Sequence, residues 1–379
     1  MVIFYLGEIE MLHKYHAGFA RKIVLAALVV LVFAFAAAAD VREKVLLDTD
    51  MVDSFDDGVA MIILANAPEI DLVGVTTLTG NSWAASGIAY AIKQLEIEGK
   101  TSVPVAMGFE SPLRPGRHAG IITERKLNGW GHDDWMGSFG LEKPESWQAE
   151  YAKLYDGTPS MKPDTRHAVD FIIDTIRANP GEVTIAAIGP CTNLAVAVLK
   201  APDIVPLIKR VVYMGGSFYQ QGNVTPTAEF NWWFDPEAAK IALHTPFKEQ
   251  IIVGLDVCEK VAYRKSHFDR LLHTLGKSGQ ADILRGSFVG KMLESDPSFS
   301  HFIWDVIVSA IIIDPSIVTG EVTAFVDVND QYGLSYGQSI AYPRLGPEGS
   351  REARIIMDVD IDKLWDMIND KTYWHSSWQ

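Results

Sequence analysis

The chain is poor in cysteine. Its 379 residues hold two, Cys191 and Cys258. Two thiols make no disulfide framework, and no Cys/His spacing suits a structural zinc. Each cysteine follows an apolar, strand-like run, so both are expected as free buried thiols, with pairing as the alternative. Positive charge is also in deficit: 33 Lys and Arg face 48 Asp and Glu, a formal net charge of −15. A phosphate-binding groove needs a basic stripe, so a nucleic-acid partner is excluded. Ligands without phosphate stay open. No glycine-rich P-loop, internal repeat or low-complexity tract occurs. With 48% hydrophobic and 21% charged residues the chain reads as globular, of a length normal for one large α/β domain.

One long apolar run exists, at the amino terminus. In "RKIVLAALVVLVFAFAAAAD", Arg21 and Lys22 precede the run Ile23–Ala39, which ends in small residues. This predicts a signal peptide, residues 1–39, cleaved before Asp40. A membrane anchor is the alternative, though the run falls short of the roughly 20 residues that span a bilayer. Met11 precedes a better charged region than Met1 and is an alternative start. The mature chain is therefore expected to be exported, periplasmic or secreted, without stable membrane association.

From residue 40 onward, strand-like and helix-like segments alternate. Apolar runs at Lys44–Leu47, Leu72–Thr77, Val103–Met107, Val183–Ile188, Val211–Met214 and Ile251–Leu255 predict buried strands. Helices are predicted at Gly58–Ala65, Trp83–Glu98, Arg166–Ala178, Asn193–Lys200, Pro236–His244 and His301–Ile313, then a strand and helix within Ala353–Ile368. The alternation predicts a single α/β domain, residues 40–379, with a mostly parallel Rossmann-like sheet flanked by helices. The stretch at about 110–163 breaks the rhythm. It has little periodicity and carries Trp130, Trp135 and Trp147, which predicts a partly ordered lid.

Ligands of open parallel sheets bind beyond the carboxyl ends of the strands. There this chain places "DTDMVDSFDDG", "TTLTGN" ending at Asn81, "GPCTN", "GGSFYQQGNVTPTAEFN" and Asp256. The first segment sets five aspartates, Asp48, Asp50, Asp53, Asp56 and Asp57, within ten positions. Crowded carboxylates repel and lose solvation, so a cation, hydrogen bonds or open water must compensate them. Oxygen-only donors select a hard cation, Ca²⁺ or Mg²⁺. Placement of Asp56 and Asp57 at a helix start would explain those two alone.

Taken together, "LLDTD…DDGVA", "TTLTGN", "IGPCTNLA", "GGS…GN…AEFNWWFDPEAA" and an aspartate in a late helix resemble the inosine–uridine-type nucleoside hydrolase family, from Val45 to about Asp305. The resemblance implies the nucleoside hydrolase fold and hydrolysis of a nucleoside's N-glycosidic bond to ribose and free base. It implies one Ca²⁺ held by Asp50, Asp57, the carbonyl of Thr192 and Asp305, and gripping the ribose hydroxyls. It implies that Asp50 activates water, that Asp56 contacts a ribose hydroxyl, and that Asn81 sits near the water. Asn223, Glu229 and Asn231 would hold the sugar. Family members are commonly homo-oligomers. Carboxylates suit an oxocarbenium-like transition state, and preorganised dipoles strengthen them in a dry site.

Two departures stand out. Five residues, "MVDSF", separate Asp50 from the Asp56–Asp57 pair where the family usually has three, so Asp53 could add a contact or replace Asp50. Where many members carry a leaving-group histidine before the late aspartate, this chain has Trp304. That is similar to the purine-preferring branch, in which indoles stack on the base; Trp130 or Trp135 would be the second ring. Trp304 could instead be a core residue, His132 could replace the missing acid, and Trp232 and Trp233 are expected beneath the sugar site. Two rival readings remain. "LLDTDMV" matches the haloacid-dehalogenase-like phosphatase pattern, with Asp48 as nucleophile and Asp50 as acid/base. An exported nucleoside- or sugar-binding protein without catalysis is the other.

Overall fold

The computed structural model describes residues 42–52, 56–128, 135–155 and 157–374, with side chains for all of these except 126–128. The expected leader, Asp53, Trp130 and His132 lie outside the described residues.

All six expected strands form. They are β1 (Glu43–Thr49), β2 (Ile70–Thr77), β3 (Val105–Met107), β4 (Val183–Ala187), β5 (Arg210–Met214) and β6 (Gln250–Val253). After them come β7 (Ala262–Arg264), β8 (Ser300–Phe302), β9 (Val318–Val328), β10 (Ser339–Tyr342) and β11 (Arg351–Val359). The helices that matter below are α1 (Asp57–Asn66), α2 (Ala84–Ile97), α3 (Arg117–Asn128), α4 (Trp147–Leu154), α5 (Ala168–Ala178), α6 (Thr192–Lys200), α7 (Phe230–Phe234) and α8 (Pro236–His244). They are followed by α9 (Leu255–Cys258), α10 (Lys265–Leu275), α11 (Gly279–Gly286), α12 (Phe288–Ser295), α13 (Asp305–Ile313) and α14 (Ile361–Ile368).

The main sheet runs β10-β9-β11-β6-β5-β4-β1-β2-β3, and β7 pairs with β8 apart from it. Contacts from β3 through β11 are parallel; β9 runs against both β11 and β10. β1, β4 and β5 are apolar and buried because helices cover both faces of the sheet. Apolar clusters lie on the two faces, each buried leucine or isoleucine contributing about 1.5–3 kcal/mol. Strand order reverses between β1 and β4. That is where an open α/β sheet leaves a crevice.

Three expectations need correction. β9 and β10 were not anticipated, because the first six residues of β9 are exposed or half-buried, only its second half is largely buried, and it lacks a continuous apolar run. His301–Ile313 is not one helix: its start belongs to β8, and α13 begins only at Asp305. The cause is a distant carboxylate, Asp56, which accepts the backbone N–H groups of Trp304 (3.2 Å) and Asp305 (3.0 Å) and so fixes the helix start. Finally, the 110–163 stretch carries two helices, α3 and α4. A small cluster of Ile121, Val224, Ala228, Phe230, Trp233 and Phe234 seats α3 on α7.

Candidate active site

β1 delivers two aspartates to the crevice in different states. Asp48 Oδ1 accepts from Thr76 Oγ1 (2.6 Å) and Asn193 Nδ2 (2.8 Å), joining β1, β2 and α6. It is buried, which pushes its carboxyl up to about 6. These bonds occupy Oδ1 alone; Oδ2 is buried without a hydrogen-bond partner. Asp50 lies beyond the strand end. Its Oδ2 accepts the Asn81 backbone N–H at 2.6 Å, while its Oδ1 is buried with no hydrogen-bond partner. Gly80 and Gly189 close on it from both sides: a Cβ at Gly80 would sit 2.2 Å from Oδ2, and one at Gly189 2.9 Å from Oδ1. Only glycine admits that approach.

α1 and α13 are apolar almost all round, so both bury fully and pack together, with Ser309 Oγ donating to Ala60 O at 3.0 Å. The consequence is that Asp56 and Asp57 at one helix start meet Asp305 at another. Asp56 leaves its own helix uncapped and caps α13 instead. Asp57 Oδ1 accepts from Thr49 Oγ1 at 2.5 Å. Helix N-termini favour carboxylates, but burial works against the charge. Burial, then neighbouring Asp57, raises the Asp56 carboxyl to about 8 and holds Asp50 well above the usual range. Asp57 is raised by burial to about 6, against the Thr49 hydrogen bond. Asp305 is held well above its usual range by burial, then by Asp56, Asp57 and Asp50.

These carboxylates therefore share one buried region. Their all-oxygen chemistry fits a hard divalent cation, and the unpartnered Asp50 Oδ1 gives such an ion a ligand. Among the described residues no three or more His, Cys, Asp or Glu side chains stand close enough together to hold a metal ion by themselves. The fit thus rests on donor type, burial and the orphaned oxygen.

A second wall comes from "AEFNWWFDPEAA". Glu229 caps α7: Oε1 accepts the Asn231 N–H (2.7 Å), and Oε2 accepts those of Trp232 (3.2 Å) and Gly216 (2.9 Å). Burial raises its carboxyl to about 7. Asn231 Nδ2 donates to Ile188 O (2.9 Å) and Met214 O (3.1 Å), which leaves its buried Oδ1 without a partner. Asn231 thus joins the ends of β4 and β5 one residue from Gly189. Asn223 Oδ1 accepts the Phe230 N–H at 3.0 Å. Trp232 and Trp233 are fully buried beneath this wall, Trp232 against Gly215 and Gly216.

Thr192 heads α6, and its hydroxyl donates to Asp235 Oδ2 at 2.6 Å. Asp235 was not singled out from the sequence. It also accepts the Leu113 N–H (2.9 Å) and caps α8 through the Ala238 N–H (3.2 Å) ahead of Pro236. The D-P pair is a helix-start signal that could have exposed it. Trp304 is half-buried against the main core cluster. Its ring stands perpendicular to His301 at 5.0 Å, and its Nε1 is buried without a partner. Cys191 and Cys258 are both free and buried.

The raised carboxyls predict a pH effect on the metal-free chain. Unfolded carboxyls titrate near 4, so between pH 4 and the raised folded values the folded chain holds more protons and loses stability as pH rises. Below about 6.5, His167, His267 and His301, pushed down by burial, act in the opposite direction. The clean window is therefore about pH 6.5 to 8.5, where Glu229 (about 7) and Asp56 (about 8) ionise. After chelation, stability is expected to fall across that window by on the order of a few kcal/mol, read from urea midpoints. A flat profile contradicts the assignment.

Comparison with known proteins places the chain in a family. The family model "Inosine-uridine preferring nucleoside hydrolase" matches residues 45–366. The pyrimidine-specific ribonucleoside hydrolase RihB of Escherichia coli O9:H4 (strain HS) is 30% identical over 340 residues, 87% of this chain and 96% of that protein. An uncharacterised protein of Schizosaccharomyces pombe is 38% identical over 201 residues, 53% of this chain; the match spans 57% of that relative's length. A probable uridine nucleosidase of Arabidopsis thaliana is 32% identical over 63% of this chain and 67% of its own. Among solved structures, a plant nucleoside hydrolase superposes with a TM-score of 0.71 at 25% identity, covering 87% of this chain and 99% of that one. A purine-preferring ribonucleoside hydrolase from Gardnerella vaginalis shares the fold, with a TM-score of 0.69 at 23% identity over 87% and 98% of the two chains. The chain belongs to the inosine-uridine preferring nucleoside hydrolases, a family of metal-dependent N-glycosidases.

Proposed function

We propose that this chain hydrolyses the N-glycosidic bond of ribonucleosides, with Ca²⁺ as cofactor and purine nucleosides as favoured substrates. The observation that carries the reading is a pair of buried, unpartnered oxygens near the carboxyl ends of the strands: Asp50 Oδ1, packed against Gly189, and Oδ1 of Asn231, whose Nδ2 is held at Ile188 O. One wall is rich in carboxylate and suits water and a cationic sugar. The other offers an acceptor to a sugar hydroxyl. Asp50, Asp57, Asp305 and the carbonyl of Thr192 would hold the ion. Bound there, Ca²⁺ would offset the clustered charge and make a water easier to deprotonate.

Asp50 would take a proton from the attacking water as its oxygen bonds to C1′. The C1′–N bond breaks with its electron pair going to the base, which takes a proton from solvent, while Asp50 returns the water's proton to solvent. Ionised carboxylates near the ring would stabilise its positive charge, and Asp56 would contact a ribose hydroxyl. Glu229, Asn231 and Asn223, held by backbone groups, would orient the ribose and so convert binding into rate. The alternative is a nucleoside- or sugar-binding protein on the same fold, motivated by the lengthened aspartate loop and the absent histidine.

Trp304 supports the purine preference through stacking, worth about 1–3 kcal/mol per base by nucleic-acid analogy. Trp304→Phe is expected to retain Ca²⁺ and lose rate most on purines, read from initial rates on inosine, guanosine, adenosine, uridine and cytidine. Wild-type rates for Trp304→Ala on all five would end the stacking idea. The relative RihB is named for pyrimidine specificity, so the ranking decides between two real alternatives. We also propose that the chain is exported for salvage of external nucleosides, on the leader alone. A mature protein from the source cells should begin at Asp40.

A further inference from the structure

Described residues of the 110–163 stretch reach the Asn81 turn. Trp135 is 43% exposed, yet its indole Nε1 donates to Asn81 Oδ1 at 3.1 Å. An indole N–H can only donate, so this contact fixes the Asn81 amide with its oxygen toward Trp135 and its Nδ2 turned away as a donor. The same Asn81 holds Asp50 Oδ2 through its backbone N–H at 2.6 Å. Trp135 is itself pinned. Its carbonyl accepts from Arg125 Nε at 2.7 Å, and Arg125 Nη1 donates to Val224 O, beside Asn223, at 2.5 Å. The Arg125 guanidinium is buried and lies 4.7 Å from the Trp233 ring. Two more contacts seat this segment on the Asn81 turn. The Ser138 N–H donates to Gly80 O at 2.8 Å. Gly137, at φ +57°, lies so close that a Cβ there would be 2.4 Å from Gly80 O.

We propose that Arg125 and Trp135 are positioning residues: they clamp the Asn81 amide, and through the Asn81 turn the Asp50 carboxylate, while tying that turn to the sugar-side loop at Val224. This rests on the nucleosidase reading of the site. It assigns Trp135 a role as hydrogen-bond donor, distinct from a ring that stacks on the base. The clamp also gives the helical 110–163 stretch a function in alignment.

Trp135→Phe keeps the ring and deletes the donor, and its exposed position makes misfolding a minor hazard, checked by the unfolding midpoint. The expected result is a kcat reduced about tenfold on purine and pyrimidine nucleosides alike, with KM within about twofold of wild type. Adding Asn81→Ala should then cost nothing beyond Asn81→Ala alone, because both changes break one contact. Wild-type kcat in Trp135→Phe, fully additive losses, or a KM rise confined to purines would each overturn the proposal. A readout independent of turnover is solvent exchange of the Trp135 indole N–H by NMR. It should be slowed in wild type and accelerated in Asn81→Ala; equal rates overturn the clamp. If wild type releases no base, the nucleosidase reading fails, and the exchange rates still decide the contact.

Discussion

Asp57→Ala is expected to abolish divalent-ion binding and base release together. Asp57 sits in the first turn of α1, buried, with one oxygen taken by Thr49 and a raised carboxyl near 6. It is one of the donors that would hold the ion. Without it the remaining carboxylates cannot both bind the cation and leave Asp50 poised as a base. Calorimetry should show no Ca²⁺ binding at millimolar concentration, and kcat/KM should fall by more than about 10³. Misfolding is distinguishable by sign. Removing a repelled, buried carboxylate should leave the metal-free chain no less stable than wild type above about pH 7, since Asp57 raises both Asp50 and Asp56. A variant that is inactive yet binds Ca²⁺ normally would contradict the ligand assignment.

Glu229→Gln is the second large effect, and it comes from donor counting. Both carboxylate oxygens accept backbone N–H groups: Oε1 that of Asn231, Oε2 those of Gly216 and Trp232. A glutamine must turn its NH₂ toward one of these donors and leave it unpaired. The cost is about 1–3 kcal/mol of stability. The function lost is larger, because the Gly216 turn and the Asn231 amide then lose their common anchor. A misplacement on the scale of an ångström costs about 10² in rate. Urea unfolding and kcat/KM should therefore both move, with Ca²⁺ affinity little changed. A Glu229→Gln enzyme with wild-type kcat/KM would show that the carboxylate acts only as a helix cap.

Much of this site was legible in the chain because the strands at its centre are short continuous apolar runs and the chemistry sits at their carboxyl ends. Asp50, Asn81 and Thr192 each follow a strand or head a helix that the pattern placed, whereas Glu229 and Asn231 came from the family resemblance, because the short helix Phe230–Phe234 was not predicted. What escaped detection depended on long-range contacts. Nothing near Asp56 in sequence says that its carboxylate will cap a helix starting at Asp305. That contact is also why one expected helix became β8 and α13. Arg125 falls in a stretch with little periodicity, and nothing in the sequence shows that it will meet Val224 and Trp135. β9 was missed because its exposed first half, with Thr319, Gly320, Glu321 and Thr323, dilutes the apolar signal at the outer part of the sheet. Asp53, Trp130 and His132, raised by the sequence, lie outside the described residues.

The most direct test offers the purified chain inosine and uridine separately, with Ca²⁺ and without phosphate, and follows free base and free ribose together. Equal amounts of base and ribose, lost on chelation and restored by Ca²⁺, are the predicted result. Ca²⁺-dependent nucleoside binding with neither product released would contradict the hydrolase account and favour the binding protein.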